Sequence, residues 1–215
     1  MQVISVNVGK PREVLWRGIP VQTSIFKDPV SSAVTIRQLN LDGDQQSDLT
    51  VHGGIHKAVY GYAVEHYDYW RQQLPKIAFV HGHFGENLTT EGLSEDTLCI
   101  GDQLQVGSAV LTVTQPRLPC YKLTIRFDRD DMIKRFLVSR RSGFYFSVAR
   151  EGDVHSGASI EFVQRDPNRL TVAELNQLFL SKQPDPQTLD RALKVEALPS
   201  AWKEDLQLKA SGRES

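Results

Sequence analysis

A chain of 215 residues, 40% hydrophobic and 24% charged, has the make-up of an ordinary globular protein. It is long enough for one domain, or one domain with a small appendage, and for a core that needs no covalent staples. A net charge of −1 gives no global attraction to nucleic acid or anionic lipid, and no apolar run approaches the roughly 18 residues of a spanning helix. Met1 to Val8 lacks the basic start and continuous apolar stretch of a secretory signal, and only Cys99 and Cys120 are present. The expectation is therefore a reduced, cytoplasmic protein with no disulfide framework.

In chain order, Ile4, Val6 and Val8 alternate with polar residues. Val14 to Trp16 and Val21 to Phe26 flank a Gly18–Pro20 turn, and Val34 and Ile36 alternate again. Period-2 patterning rich in β-branched residues predicts half-buried strands, and Asp42-Gly43 a turn. Lys57 to Ala63 reads as a further strand. Glu65 to Leu74 reads as a helix with Tyr67, Trp70 and Leu74 on one face, stopped by Pro75. His81 and His83 would share a face on a strand. Thr97 to Val106 and Ala109 to Thr114 read as strands, the second running into Pro116. Arg129 to Val138 predicts a short amphipathic helix capped by Asp128. Phe144 to Ala149 and Ser159 to Val163 complete the β part.

The character changes at Asp166-Pro167. Thr171 and Glu174 form a capping-box pattern, with Leu170 and Leu175 at the staple positions. Asp185-Pro186 is a cap followed by proline at the first helical position, and Pro199-Ser200 opens a third helix carrying Trp202 and Leu206. Helices this short need partners to pack on. The expected architecture is mainly β, a barrel or curled sheet with a few short helices over residues 1–165, followed by a three-helix module over 166–215.

The chemistry centres on Gln115 to Leu123. Pro116 and Pro119 restrict the backbone around Cys120, while Arg117 and Lys122 supply cations that favour thiolate over thiol. Such a sulfur can be a nucleophile or a metal ligand; a small buried cysteine in a turn is the plain alternative. Other readings are weaker. The pairs His52/His56 and His81/His83 lack the cysteine or carboxylate partners of a zinc site. No phosphate-binding P-loop or dinucleotide fingerprint occurs. A Cys120–His52 hydrolase has nothing to bring its members together, and the mixed charges of the three helices argue against stable nucleic-acid binding. What remains is a set of polar loops: Asp48 with His52, Gly53, Gly54 and Lys57; Phe84-Gly85-Glu86-Asn87; and Arg117 with Cys120 and Lys122. Glycine amides with lysine and arginine side chains suit a phosphate, and a thiolate suits a soft or transition metal. Together they fit a phosphate-bearing cofactor that carries its own metal.

These residues resemble the MOSC domain, named for the C-terminal domain of molybdenum-cofactor sulfurases, and more closely its YiiM-like branch. The resemblance rests on Asp42-Gly43-Asp44, Val51-His52-Gly53-Gly54 with Lys57-Ala58-Val59, Phe84 to Leu88, Gln115-Pro116-Arg117 and Pro119 to Leu123, the Gly143 to Gly157 stretch and the three-helix tail. It implies a barrel-like β fold, a cytoplasmic location, and binding of molybdenum cofactor (molybdopterin) with Cys120 as the catalytic cysteine and metal ligand. His52, Gly53, Gly54, Lys57, Asn87, Arg117 and Lys122 would surround the pterin and its phosphate. It further implies reduction of small N-hydroxylated compounds, including base analogues such as 6-hydroxylaminopurine, with electrons from a separate flavin or iron–sulfur reductase. No membrane partner is expected, and a homodimer is allowed. Two other readings of Cys120 and the tail stand beside it: a sulfur carrier that holds a persulfide, and a non-catalytic binding module that docks through its helices. One departure is visible: the branch usually has Pro-Asp after His-Gly-Gly, and this chain has Ile55-His56.

Overall fold

The structure, a computed structural model, describes residues 1–47 and 53–211. β1 (Gln2–Val8) is followed by a hairpin of β2 (Arg12–Trp16) and β3 (Ile19–Thr23), then by β4 (Asp28–Val30) and β5 (Val34–Ile36). The hairpin turns at Arg17 and Gly18, both at positive φ (52° and 81°), not at Gly18–Pro20. Trp16 pairs with Ile19, so the loop has two residues, and this tight connection needs φ above zero at both, which proline cannot supply. A 3-10 turn at Ile55–Lys57 leads into β6 (Val59–Ala63), α1 (Glu65–Gln73) and β7 (Leu88–Glu91). β8 (Gln103–Val106), β9 (Ala109–Pro116), α2 (Lys122–Phe127), α3 (Met132–Ser139), β10 (Phe144–Arg150), β11 (Gly152–Val154) and β12 (Ile160–Gln164) complete the β part. The chain then forms α4 (Val172–Leu180), α5 (Pro186–Lys194) and α6 (Ser200–Ala210).

The main sheet runs β12-β8-β9-β10-β6-β7-β1-β4. Its pairs are antiparallel except β6–β7, which is parallel. The sheet curls until its ends meet. Gln2 bridges Ser159, and the Ile160 amide donates to Met1 O at 2.9 Å. The barrel-like body is thus closed by the strand that opens the chain. Inward residues of β1, β8, β9 and β10, such as Val3, Leu104, Leu111, Val113 and Phe146, form one core. Gly61 on β6 has no side chain because a Cβ there would sit 2.6 Å from the Phe144 ring.

The three helices do not form a separate core. Leu170, Leu175, Leu178, Trp202 and Leu206 belong to the same apolar cluster as the barrel interior. The capping box at Thr171 and Glu174 is formed, with both hydrogen bonds present, and Asp185 accepts from the Thr188 amide at 2.8 Å. A second cluster, largely aromatic, lies outside the barrel between α1, α2 and α3 and contains Tyr60, Tyr62, Tyr67, Trp70, Phe84, Phe127 and Phe136.

Three local expectations change. Asp128 does not cap α3; at φ 49° it ends α2 in the left-handed region, and Asp131 stands at the start of α3. Thr97 to Ile100 is a turn, not a strand: the fully buried Asp102 carboxylate takes the Cys99 and Asp166 amides, and the Ile100 amide donates to Leu170 O. His81 and His83 lie in consecutive turns and not on a strand. Among the described residues, no helix is long and apolar enough to cross a membrane.

Candidate functional site

β6, β10 and β9 are neighbours, and their register pairs Tyr145 with Tyr60 on one side and Gln115 on the other. The loop that leaves β9 therefore emerges beside both tyrosines. It carries Arg117 and Cys120 and enters α2 at Lys122, with the Leu123 amide donating to Cys120 O at 2.9 Å. Gly53 and Lys57 arrive from the segment before β6, and Asn87 from the segment before β7. Ser24, Lys27, Asp44 and Ser47 come from the N-terminal strands and their connections. All of these line one cleft.

Arg117 is buried. Its guanidinium lies 4.8 Å from the Tyr60 ring centroid and 5.7 Å from that of Phe136, and it donates to Phe84 O. Burial works against its charge, but Tyr60, Tyr145 and Cys120 around it outweigh that and keep it protonated. Burial raises both phenols above the usual tyrosine range, so they remain protonated at neutral pH. Lys57 is pushed down by burial, with Cys120 acting in the opposite sense. The Cys120 sulfur is thus within electrostatic reach of Lys57, Arg117 and Tyr145. Lys122 donates to Ser47 Oγ at 3.1 Å.

The cleft wall is held by two buried carboxylates. Asp44 accepts from Lys27, from the Gly9 amide at 2.8 Å and from Asn87 Nδ2 at 2.9 Å. Burial lowers the Lys27 pKa and Asp44 opposes that shift. Glu86, fully buried, accepts from the Tyr67 hydroxyl, the Gly82 and Phe84 amides and Thr89 Oγ1, which fixes the Phe84-Gly85-Glu86-Asn87 turn. Asn87 is itself occupied: its Oδ1 accepts from the Tyr60 amide at 3.1 Å. Its side chain ties β6 to Asp44 as well as lining the cleft.

Among the described residues the lining holds four basic side chains against one carboxylate, with the partly buried Cys120 thiol among them. The Ser24 hydroxyl is buried and has no hydrogen-bond partner among the described residues. The arrangement can receive an oxyanion and can present sulfur beside it.

The chain matches the MOSC domain over residues 48–161 and the YiiM-like, 3-alpha helix domain over residues 170–209. It belongs to the MOSC family. It is 38% identical to the Bacillus subtilis protein YflK, over 94% of this chain and 90% of that one. A Gibberella moniliformis protein named reductase is 30% identical over 84% of this chain, which spans only 32% of that protein. Among solved structures, YiiM from Geobacillus stearothermophilus superposes with a TM-score of 0.81 at 32% identity, covering 97% of this chain and 98% of that one.

Of the residues expected around a MOSC cofactor, Gly53, Lys57, Asn87, Arg117, Cys120 and Lys122 meet in the cleft. Gly54 is exposed and turns the chain beside it, its carbonyl accepting from the Lys57 amide at 3.0 Å. His52 and Asp48 lie outside the described residues. Lys27, Asp44, Tyr60, Tyr145 and Ser24 were not singled out by sequence. Asp44 stood in the Asp42-Gly43-Asp44 turn, the only hint, and Lys27 and Asp44 precede the span that matches the MOSC domain. The imidazole of His56, which replaces the branch's usual carboxylate, is not part of the lining. Its Nδ1 is buried and has no partner among the described residues, and burial lowers its pKa.

Proposed function

We propose that this cytoplasmic MOSC protein binds molybdenum cofactor in the Lys57–Arg117–Lys122 cleft and reduces small N-hydroxylated compounds. The observation that carries the reading is the convergence of Cys120 with Lys27, Lys57, Arg117 and Lys122 in one cleft. That donor set fits the group: Lys57, Arg117 and Lys122 suit its phosphate, and Cys120 suits a soft metal. Among the described residues no three histidine, cysteine or acidic side chains meet as a metal cage, so a metal at Cys120 suits a cofactor that brings its own sulfur ligands. When bound, the cofactor supplies the redox centre, and converting N–OH to N–H with release of water takes two electrons and two protons. The electrons come from a separate flavin or iron–sulfur reductase. The protein's own part is to orient: Arg117, Tyr60 and Tyr145 line the cleft together with the sulfur, and the Lys27–Asp44 pair holds its wall. The name of the Gibberella relative supports reductase chemistry.

The test is metal and pterin analysis of protein purified without oxygen from a host that makes the cofactor. Near-stoichiometric molybdenum and pterin are expected, both lost in Cys120→Ala. A variant that keeps molybdenum at wild-type occupancy overturns the ligand assignment. A sulfur-atom mass gain on Cys120 after treatment with a cysteine desulfurase, in protein that takes up no molybdenum, favours the sulfur-carrier reading.

A further inference from the structure

β2 and β3 stand apart from the main sheet as a sheet of two strands. Such a sheet is marginal in water and gains from a further strand. The two-residue loop at Arg17 and Gly18 fixes which backbone groups the hairpin leaves open. Trp16 and Ile19 close the loop as a hydrogen-bonded pair, and the pairs then alternate along the ladder. Leu15 opposite Pro20, and Glu13 opposite Gln22, therefore turn their backbone polar groups outward. The β3 edge is blunted, because Pro20 has no N–H to offer. The β2 edge is open: the outward N–H and C=O groups of Glu13 and Leu15 have no partner among the described residues. The side chains follow the same period. Val14 and Trp16 are half-buried, whereas Glu13 is exposed and Leu15 is 74% exposed, a large apolar side chain in water on the unpaired strand.

This edge is complementary to itself. We propose that β2 pairs antiparallel with β2 of a second copy of this chain, about a two-fold axis through Val14, to make a four-stranded sheet across a homodimer. Glu13 of each copy then faces Leu15 of the other, and each such pair exchanges both of its hydrogen bonds, so every open group of the edge is used. Pro11, the next outward position, has no N–H and ends the ladder. Antiparallel pairing also brings the start of one strand to the end of the other. The start carries the exposed cations Lys10 and Arg12. The end lies beside Asp128 and Asp130, which line one recess with Leu15, Trp16 and Arg17. Asp130 is shared with Arg17, and Asp128 has no ion pair among the described residues. Opposite charges thus meet at both ends of the ladder. A ladder this short makes a small interface, so the dimer is weak, with Kd on the order of 10–100 μM.

The test is sedimentation velocity of the full chain from about 5 to about 500 μM, a range that brackets that constant. The mass is expected to rise from that of the monomer toward that of the dimer. Leu15→Glu sets a second carboxylate opposite Glu13 of the other copy and is expected to weaken dimerisation by about tenfold or more. Adding Glu13→Lys to Leu15→Glu restores opposite charges across the pair and is expected to bring the affinity back to within about threefold of wild type. Both side chains are exposed, and circular dichroism checks that each variant is folded. A chain that stays monomeric throughout overturns the proposal and leaves the edge to a strand of another protein. A dimer that survives Leu15→Glu overturns it too, since the interface then lies elsewhere. Failure of Glu13→Lys to rescue Leu15→Glu overturns the register and with it the proposal.

Discussion

Acidification from about pH 8 to about pH 5 should remove about 2 kcal/mol of folding stability through His83 alone. His83 is 6% exposed and packed between the Phe79 and Phe127 rings, each with its centroid 4.9 Å away. Its Nδ1 accepts from Arg126 Nη2 at 3.1 Å, and its Nε2 is buried with no partner among the described residues. A proton on Nδ1 would break the Arg126 bond and set one cation against another in a dry site. Burial first, and Arg126 second, therefore push the imidazole down from 6.5 to about 3. Between those two values the unfolded chain binds more protons than the folded one, so stability rises with pH across the window and is lost as pH falls. The full slope is about 1.4 kcal/mol per pH unit, which amounts to about 4–5 kcal/mol by about pH 3. Urea unfolding of wild type and His83→Gln at a series of pH values checks this. Glutamine keeps an acceptor for Arg126 but cannot titrate, and the carboxylates that titrate nearby are common to both proteins. The wild type should lose about 2 kcal/mol more than the variant on going from about pH 8 to about pH 5. Parallel stability curves would refute the reasoning.

Asp44→Asn should cost about 3–5 kcal/mol in urea unfolding, because it leaves the buried Lys27 ammonium without its counter-charge. Glu86→Gln should cost about 1–3 kcal/mol, since all four of its partners donate and the new NH2 must face at least one of them. Its cost should exceed that of Thr171→Ala, which removes the capping box of α4 and should lower stability by about 1 kcal/mol in the same assay.

The helical end of the chain is legible because its signals are local. Thr171 with Glu174, and Asp185 with the Thr188 amide, satisfy the open amides of their own helices within three residues, and Pro186 has no N–H to leave open. Helix α1 is legible for a similar reason, with Tyr67 and Trp70 buried on one face of an otherwise polar segment. Helix α2 is not. Five of its six residues are buried, Lys122, Leu123, Thr124, Ile125 and Phe127, so it lacks the polar face that makes a 3.6-residue period visible. The Thr97–Ile100 turn escaped because what holds it, Asp102 and Leu170, includes a partner about seventy residues away in the chain.

The candidate site divides along the same line. The amino-acid sequence by itself determined the basic and glycine-rich loops, the restrained Cys120 and the resemblance that joined them, since each depends on residue types at short spacing. Only the tertiary structure decided that Gly53, Lys57, Asn87, Arg117, Cys120 and Lys122 share one cleft, and that Lys27, Asp44, Tyr60 and Tyr145 share it too. That outcome follows from strand order and register: β6 lies between β10 and β7, Tyr145 faces Tyr60 across the ladder, and the closed sheet carries the N-terminal strands round to the cleft. Register is a property of pairs of distant segments, and a one-residue slip would turn Tyr60 or Tyr145 to the opposite face and displace the loops that leave those strands.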